Sequence, residues 1–475
     1  MSELVHTGAA IAPILSVFGL LALRVPSLLA GAAGLVGAIV AAATAFRPDD
    51  DEILAAMHQM GPTVLEVALI LLGGVTLAVA MSSAGSRDHI ADWLTRAGPT
   101  EDRIPVILLL VFGLTPFMES VTGFGLGVVI TAPLLVRIGL SPVKAVVSGL
   151  LGLTLVPWGS LGPGTLVAAE LGGQDFADLG VWSALLTLPV LLVSTVTLVL
   201  VLRPRITVRL TLLCSAVVVI QWSALVAANM LLGAPPAGIV ASLAVIAFLI
   251  GVSRVRGGPL PRGSRDLLRA VAPFIILLSG ILGATVALGS GLVPAAASWL
   301  DSPALWVNIA ALVALRASVP AMSNAFPLVR EAVGAWVPVA GNAIVFMAIG
   351  IVMATAGMAS HLAQLASGAG DVALALTPAV GAAGGYLTGS NTGAAAMFSS
   401  ATTGVASDVG ASALVALAGQ NVAGSYAIIV SPPRVALAVG VVLSGTKLPG
   451  GAGRALGTAV VAATVALGAA VYLLG

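Results

Sequence analysis

Of 475 residues, 59% are hydrophobic and 8% charged, and the mean hydropathy is +1.12, whereas an ordinary soluble domain carries about a quarter charged residues. That excludes a soluble globular chain. A net charge of +1 without a polybasic tract offers nothing to nucleic acid, and a lone cysteine, Cys214 in an apolar run, rules out an intramolecular disulfide or a cysteine metal cluster.

From the N-terminus onward, apolar runs of the roughly 20-residue length that crosses hydrocarbon as a helix fall at 8–23, 27–46, 64–84, 179–202, 207–232, 236–252, 271–290, 304–320, 334–356 and 456–474. The runs are continuous and not alternating, which excludes an outer-membrane barrel. The expectation is an all-α polytopic membrane protein, placed in a plasma-type (cell inner) membrane. "MSELVHTG" before the first run lacks the basic start of a signal peptide, so that run reads as a retained span. Basic short loops mark the cytoplasmic side. "RPRITVR" (203–209) and "RVRGGPLPRGSRDLLR" (254–269) are therefore inside, the acidic "RPDDDE" (47–52) is an outside loop, and the N-terminus is outside.

The chain contains a repeat. Met81, Gly85, His89, Ala91 and Gly98 match Met353, Gly357, His361, Ala363 and Gly370, each pair 272 apart. At a slightly smaller offset "ESVTG" (119–123) matches "GSNTG" (389–393) and "WGSLG" (158–162) matches "AGSYA" (423–427). The first connector is basic and the second has no Lys or Arg, so the two copies read as inverted, a signature of secondary transporters with the substrate near the midplane. The expected division is N-terminal scaffold helices over 1–63 and a first repeat over 64–170, with a re-entrant hairpin (116–136) and a helix broken at "VPWGSLGPG" (145–170). Scaffold helices and basic loops follow over 171–333, then a second repeat over 334–445, with a hairpin (387–405) and a helix broken at "SPPR" (411–445), and a last helix over 446–475.

The hairpin tips and breaks carry the candidate site. Broken helices in a membrane leave free backbone amides and small polar groups that must face protein, water or ligand, and helix N-termini suit anions. Gly123, Gly125 and Gly393 let a ligand reach the backbone. Ser120, Thr122, Ser160, Ser390, Asn391, Thr392, Asn421, Ser425 and Ser431 supply neutral hydrogen-bonding groups, with Phe124 and Trp158 beside them. Two readings of Glu119 are open: a proton- or Na⁺-coupling carboxylate, or a structural cap of the hairpin. Two are open for Arg434 as well, a carboxylate clamp or a side chain snorkelling to the membrane surface. No metal cluster, P-loop or catalytic triad stands out, so neither a cofactor nor an enzyme is expected.

At these residues the sequence resembles the lactate permease family. "ESVTGFGLGVVITAPLLVRIGLSP" (119–142) is similar to the family's E-G-A-A-G-F-G and following helix, "LTGSNTGAAAMF" (387–398) to its L-T-G-S-D-T-S-S-N, and "AIIVSPPRVALA" (427–438) to its G-K-M-I-S-P-Q-S-I-A. Asn391 stands where the family has an acid, Ile428 where it has Lys, and Pro433–Arg434 where it has Gln-Ser. The resemblance implies a proton-coupled permease for L-lactate, glycolate and related 2-hydroxy monocarboxylates. Analogy with other two-hairpin transporters implies a homodimeric scaffold and an elevator motion. Na⁺ coupling, a dicarboxylate or sulfonate substrate, and an anion channel stay open as alternatives.

Overall fold

The computed structural model describes residues 3–97, 103–123, 125–258, 263–319, 324–443 and 447–475, and among them every regular element is helical. α1 (Glu3–Ala22) and α2 (Ser27–Ala41), the latter extended by a π-helical turn at Ala42–Phe46, lead into α3 (Asp50–Ser83) and the short α4 (Ser86–Ala97). α5 (Arg103–Leu108), a π-helical stretch (Leu109–Leu114) and α6 (Thr115–Thr122) run as one arm, and α7 (Leu126–Arg137) is the other arm of the hairpin. α8 (Pro142–Leu151), a 3-10 stretch (Val156–Leu161) and α9 (Pro163–Gly172) form an interrupted helix, followed by α10 (Phe176–Leu186) and α11 (Leu188–Leu202). The pair α12 (Val208–Leu232) and α13 (Ala234–Val255) pack on each other. The order then recurs: α14 (Arg265–Gly289), α15 (Pro303–Ser318), α16 (Phe326–Thr355) and α17 (Met358–Ser367); the hairpin α18 (Asp371–Thr388) and α19 (Asn391–Asp408); α20 (Ala413–Ala427), a 3-10 turn (Ile428–Val430) and α21 (Pro432–Val442); and finally α22 (Gly450–Leu474).

Eleven helical segments among the described residues are long and apolar enough to cross a membrane. One of them, Arg103–Thr122, is almost wholly buried and ends at the hairpin tip inside the protein. Its π-helical stretch leaves a carbonyl outside the regular ladder, and Gln221 of α12 donates to the Phe112 carbonyl at 3.0 Å.

Two sequence expectations need correction. The acidic "RPDDDE" is not a loop throughout, because Asp49 and Glu52 form a capping box that starts α3 at Asp50. α3 therefore has 34 residues, about 51 Å at 1.5 Å per residue, against a hydrocarbon core of about 30 Å. The register of the repeat also differs at the tips. α6 ends on Gly123 (φ +68) and α18 on Gly389 (φ +66), so Thr122–Gly123 pairs with Thr388–Gly389, one helical turn before the Thr392–Gly393 chosen by sequence. Likewise α9 and α21 start at Pro163 and Pro432, which pairs Thr165 with Arg434. The "AGSYA" motif then lies on the buried last turns of α20 and not at the break.

Packing links the repeats crosswise. α2 packs on α16, α15 on α3, and α3 on α16, while α19 packs on α9, α18 and α20. Both hairpin tips and both breaks thus meet a wall made by α2, α3 and α16.

Candidate functional site

The four interruptions line one cavity of about 510 Å³. Glu119 and Gly123 come from the first tip, Gly159, Ser160 and Gly164 from the first break, Thr388 to Thr392 from the second tip, and Ile428, Pro433 and Arg434 from the second break. Pro26–Leu28 at the start of α2, Leu71 of α3 and Pro338, Val339, Asn342 and Ala343 of α16 close the other side.

One wall is charged. Glu119 is 2% exposed, and both of its carboxylate oxygens accept the Gly125 amide, at 3.1 and 2.9 Å. The nearer charge is Arg434, whose Nη2 lies 3.8 Å from Glu119 Oε1. Sequence placed capping and charge handling as alternatives for Glu119; the geometry gives it the cap bond and a cationic neighbour together. Gly125 suits glycine, since its φ is +81, and a Cβ there would lie 2.5 Å from Arg434 Nη1 and push the guanidinium aside. Arg434 sits in the first turn of α21 behind Pro432 and Pro433. Prolines lack N–H groups, so the attraction for an anion at this helix start comes from the guanidinium and not from a row of amides.

The second tip is neutral. Ser390 caps α19 by accepting from the Gly393 amide at 3.4 Å, and the first helical amides, those of Asn391 and Thr392, have no partner within the helix. Asn391 Nδ2 donates to Asn421 Oδ1 at 2.8 Å, and Asn421 Nδ2 donates to Thr165 Oγ1 and Ser183 Oγ, each at 3.1 Å. Among the lining residues, Ser27 Oγ, Ser160 Oγ, Asn342 Oδ1 and Asn391 Oδ1 are buried without a hydrogen-bond partner. Ser160 and Leu161 hold left-handed φ values of +43 and +66, conformations that cost energy in residues with a side chain and that turn the chain sharply into α9.

Of the candidates read from sequence, Glu119, Gly123, Ser160, Ser390, Asn391, Thr392 and Arg434 line the cavity. Gly125 lies behind Glu119, and Asn421 behind Asn391, as positioning groups. Ser120, Thr122, Gly393, Ser425 and Ser431 are not among the lining residues, and Phe124 lies outside the described residues. Trp158 is fully buried and donates to Asn229 at 3.1 Å, packed among Leu155, Ala184 and Leu225 away from the cavity. Ser27 and Asn342 were missed. Their signal was slight, one polar residue apart from a terminal threonine in each of two apolar spans (27–46 and 334–356).

A second cavity of about 740 Å³ lies across the first break: Ser160 and Leu71 face the first, Leu161 and Ile70 the second. It is lined by Pro62 to Ile70 of α3 and by Ser302–Ala304 at the start of α15, where the first cavity has 338–343 of α16 and 26–28 of α2. With α3 paired to α16 and α15 to α2, these helix walls of the two cavities are counterparts under the repeat, while no described residue of either hairpin tip or of the second break lines the second cavity. The second also takes in Met230–Pro235, at the ends of α12 and α13 away from the basic loops.

The family model described as L-lactate permease matches residues 7–254 and 267–450. The chain belongs to the L-lactate permease family. Among curated relatives, the glycolate permease GlcA of Escherichia coli is 33% identical over 174 residues, 36% of this chain and 31% of that protein. An L-lactate permease of Bacillus subtilis is 32% identical over 168 residues, 34% of this chain and 30% of that protein. The aligned stretches thus span less than a third of these relatives' length. Among solved structures, MtrF of Neisseria gonorrhoeae, described as illuminating a class of antimetabolite efflux pumps, is similar over 90% of this chain and 86% of its own, with 14% identity and a TM-score of 0.49.

Proposed function

We propose that this family member is a secondary transporter that carries a small 2-hydroxy monocarboxylate, L-lactate or glycolate, together with a proton. The supporting observation is the pair of buried Glu119 and partly buried Arg434 at 3.8 Å, on the wall of a cavity where both hairpin tips and both helix breaks meet. The names of the curated relatives point to the same substrates.

The pair gives a physical basis for coupling. In the empty site the carboxylate and the guanidinium cancel. When Glu119 takes up a proton, Arg434 loses its counter-charge and can hold the substrate carboxylate, and the loaded site is again neutral. An anion alone or a proton alone leaves one net charge, and a net charge is expensive to carry through a low-dielectric interior. Empty and fully loaded sites cross; half-loaded ones do not.

Two cavities walled by repeat-related helices fit alternating access, with the site presented in turn to each. In this reading the second cavity serves the membrane face away from the basic loops, an elevator movement shifts the hairpins along α3 and α16, and the scaffold pairs as a homodimer in a plasma-type membrane. The test is uptake of radiolabelled L-lactate into proteoliposomes with and without an inward proton gradient. Wild type accumulates lactate with the gradient. Glu119→Gln, fixed in the neutral state, still binds and exchanges lactate but does not accumulate it. Wild-type uptake indifferent to the proton gradient, or gradient-driven accumulation by Glu119→Gln, would refute the coupling.

A further inference from the structure

We propose that the side-chain carbonyl of Asn391 is the acceptor that selects substrates bearing a hydroxyl on the carbon next to the carboxylate. This rests on the reading above, with Arg434 holding the carboxylate.

The orientation of Asn391 follows from a chain of hydrogen bonds that starts at the break in the other repeat. The Pro157 carbonyl can only accept, and the Thr165 hydroxyl donates to it at 2.7 Å. With its proton used there, Thr165 Oγ1 is left as an acceptor, so the Asn421 group facing it at 3.1 Å is the NH₂, which also reaches Ser183 Oγ. Asn421 therefore turns its carbonyl to Asn391, and Asn391 gives up its NH₂ to it at 2.8 Å. What Asn391 has left is Oδ1. That atom is buried without a partner, on a residue 8% exposed that lines the cavity. A buried acceptor without a donor is costly, and a ligand hydroxyl supplies the missing proton. A ketone at the same carbon would set two acceptors against each other, and a plain methylene would leave Oδ1 unsatisfied. Gly164 allows the close approach, since a Cβ there would lie 2.6 Å from Asn391 Nδ2.

The experiment measures how well propionate and pyruvate compete with radiolabelled L-lactate in proteoliposomes. These acids differ from lactate only in lacking the hydroxyl or in replacing it with a ketone. Wild type should favour L-lactate over both by on the order of three- to ten-fold, the scale of one neutral hydrogen bond. Asn391→Ala should bring the lactate-to-propionate ratio close to one. Thr165→Val, nearly isosteric, removes the group that fixes the chain, lets the two amides turn over, and should lower the lactate-to-pyruvate ratio with little effect on propionate. Equal competition by all three acids in wild type, or unchanged ratios in both variants, would overturn the assignment while leaving a monocarboxylate transporter standing. So would a loss of discrimination in Asn342→Ala and not in Asn391→Ala, since Asn342 carries the other unpartnered amide oxygen of the cavity. Failure of every monocarboxylate to be transported would strike the proposed function itself.

Discussion

The two hairpin tips occupy equivalent places in the repeat and differ in their chemistry. At the first, the cap residue Gly125 has no side chain, and the cap bond comes from Glu119 of the preceding helix, which also faces Arg434. At the second, Ser390 caps its own helix, and the position equivalent to Glu119 is Gly385, pressed against the Gly424 carbonyl with no room for a side chain. The structural counterpart of Arg434 is Thr165, a hydroxyl in a neutral amide network. The first tip therefore carries a charge pair and the second a network of neutral hydrogen bonds. A hydroxy acid presents one group of each kind.

The largest expected effect comes from removing the cation of the charged tip. Arg434→Ala should reduce equilibrium binding of L-lactate by about thirty-fold or more, since deleting one partner of a desolvated charge pair costs about 2–5 kcal/mol. Binding within a few-fold of wild type would show that the anion is held elsewhere, with the first-turn backbone amides of Asn391 and Thr392, which have no partner within the helix, as the next place to look.

Much of this asymmetry was legible in the sequence, because proline and glycine punctuate apolar helices visibly. "ESVTGFG", "VPWGSLGPG", "TGSNTG" and "SPPR" mark the two tips and the two breaks where the helices stop. The register between tips was not legible. "LTGSNTG" holds two Thr-Gly pairs four residues apart, and only the backbone reveals that Gly389, and not Gly393, takes the left-handed turn matching Gly123. The role of Asn391 escaped for a similar reason, since its direction is set by Pro157 and Thr165 more than two hundred residues earlier. Ser27 and Asn342 stayed hidden because an isolated polar residue in an apolar span reads equally well as packing.

A smaller effect separates the tips by their tolerance of a methyl group. Alanine at either Gly125 or Gly389 must adopt a positive φ, worth about 1–2 kcal/mol. At Gly125 the new Cβ also meets the Arg434 guanidinium, 2.5 Å from Nη1, whereas at Gly389 the nearest atom is Pro433 Cγ at 3.2 Å. Gly125→Ala should therefore cut lactate uptake at least ten-fold by displacing Arg434 from Glu119, and Gly389→Ala should mainly lower the melting temperature. Equal losses of uptake would mean that the tips depend on backbone shape alone.

The finest distinction lies in the threonines that end the first arms. Thr122 Oγ1 bonds back to the Met118 carbonyl at 2.5 Å, and Thr388 Oγ1 does the same to Gly384 at 2.7 Å. Thr388 has further work at its tip: its hydroxyl accepts the Ser390 amide at 3.2 Å and lies 2.9 Å from the Ser390 carbonyl. A neutral hydrogen bond contributes about 0.5–1.5 kcal/mol. Thr122→Val should thus cost one such bond and Thr388→Val about two, read as melting temperatures of the detergent-purified protein. The second variant also loosens Ser390, the residue just ahead of Asn391, so its lactate-to-propionate preference should weaken while that of Thr122→Val holds. If the two variants behave alike in both measurements, the neutral tip is no more finely built than the charged one, and recognition of the hydroxyl does not depend on its order.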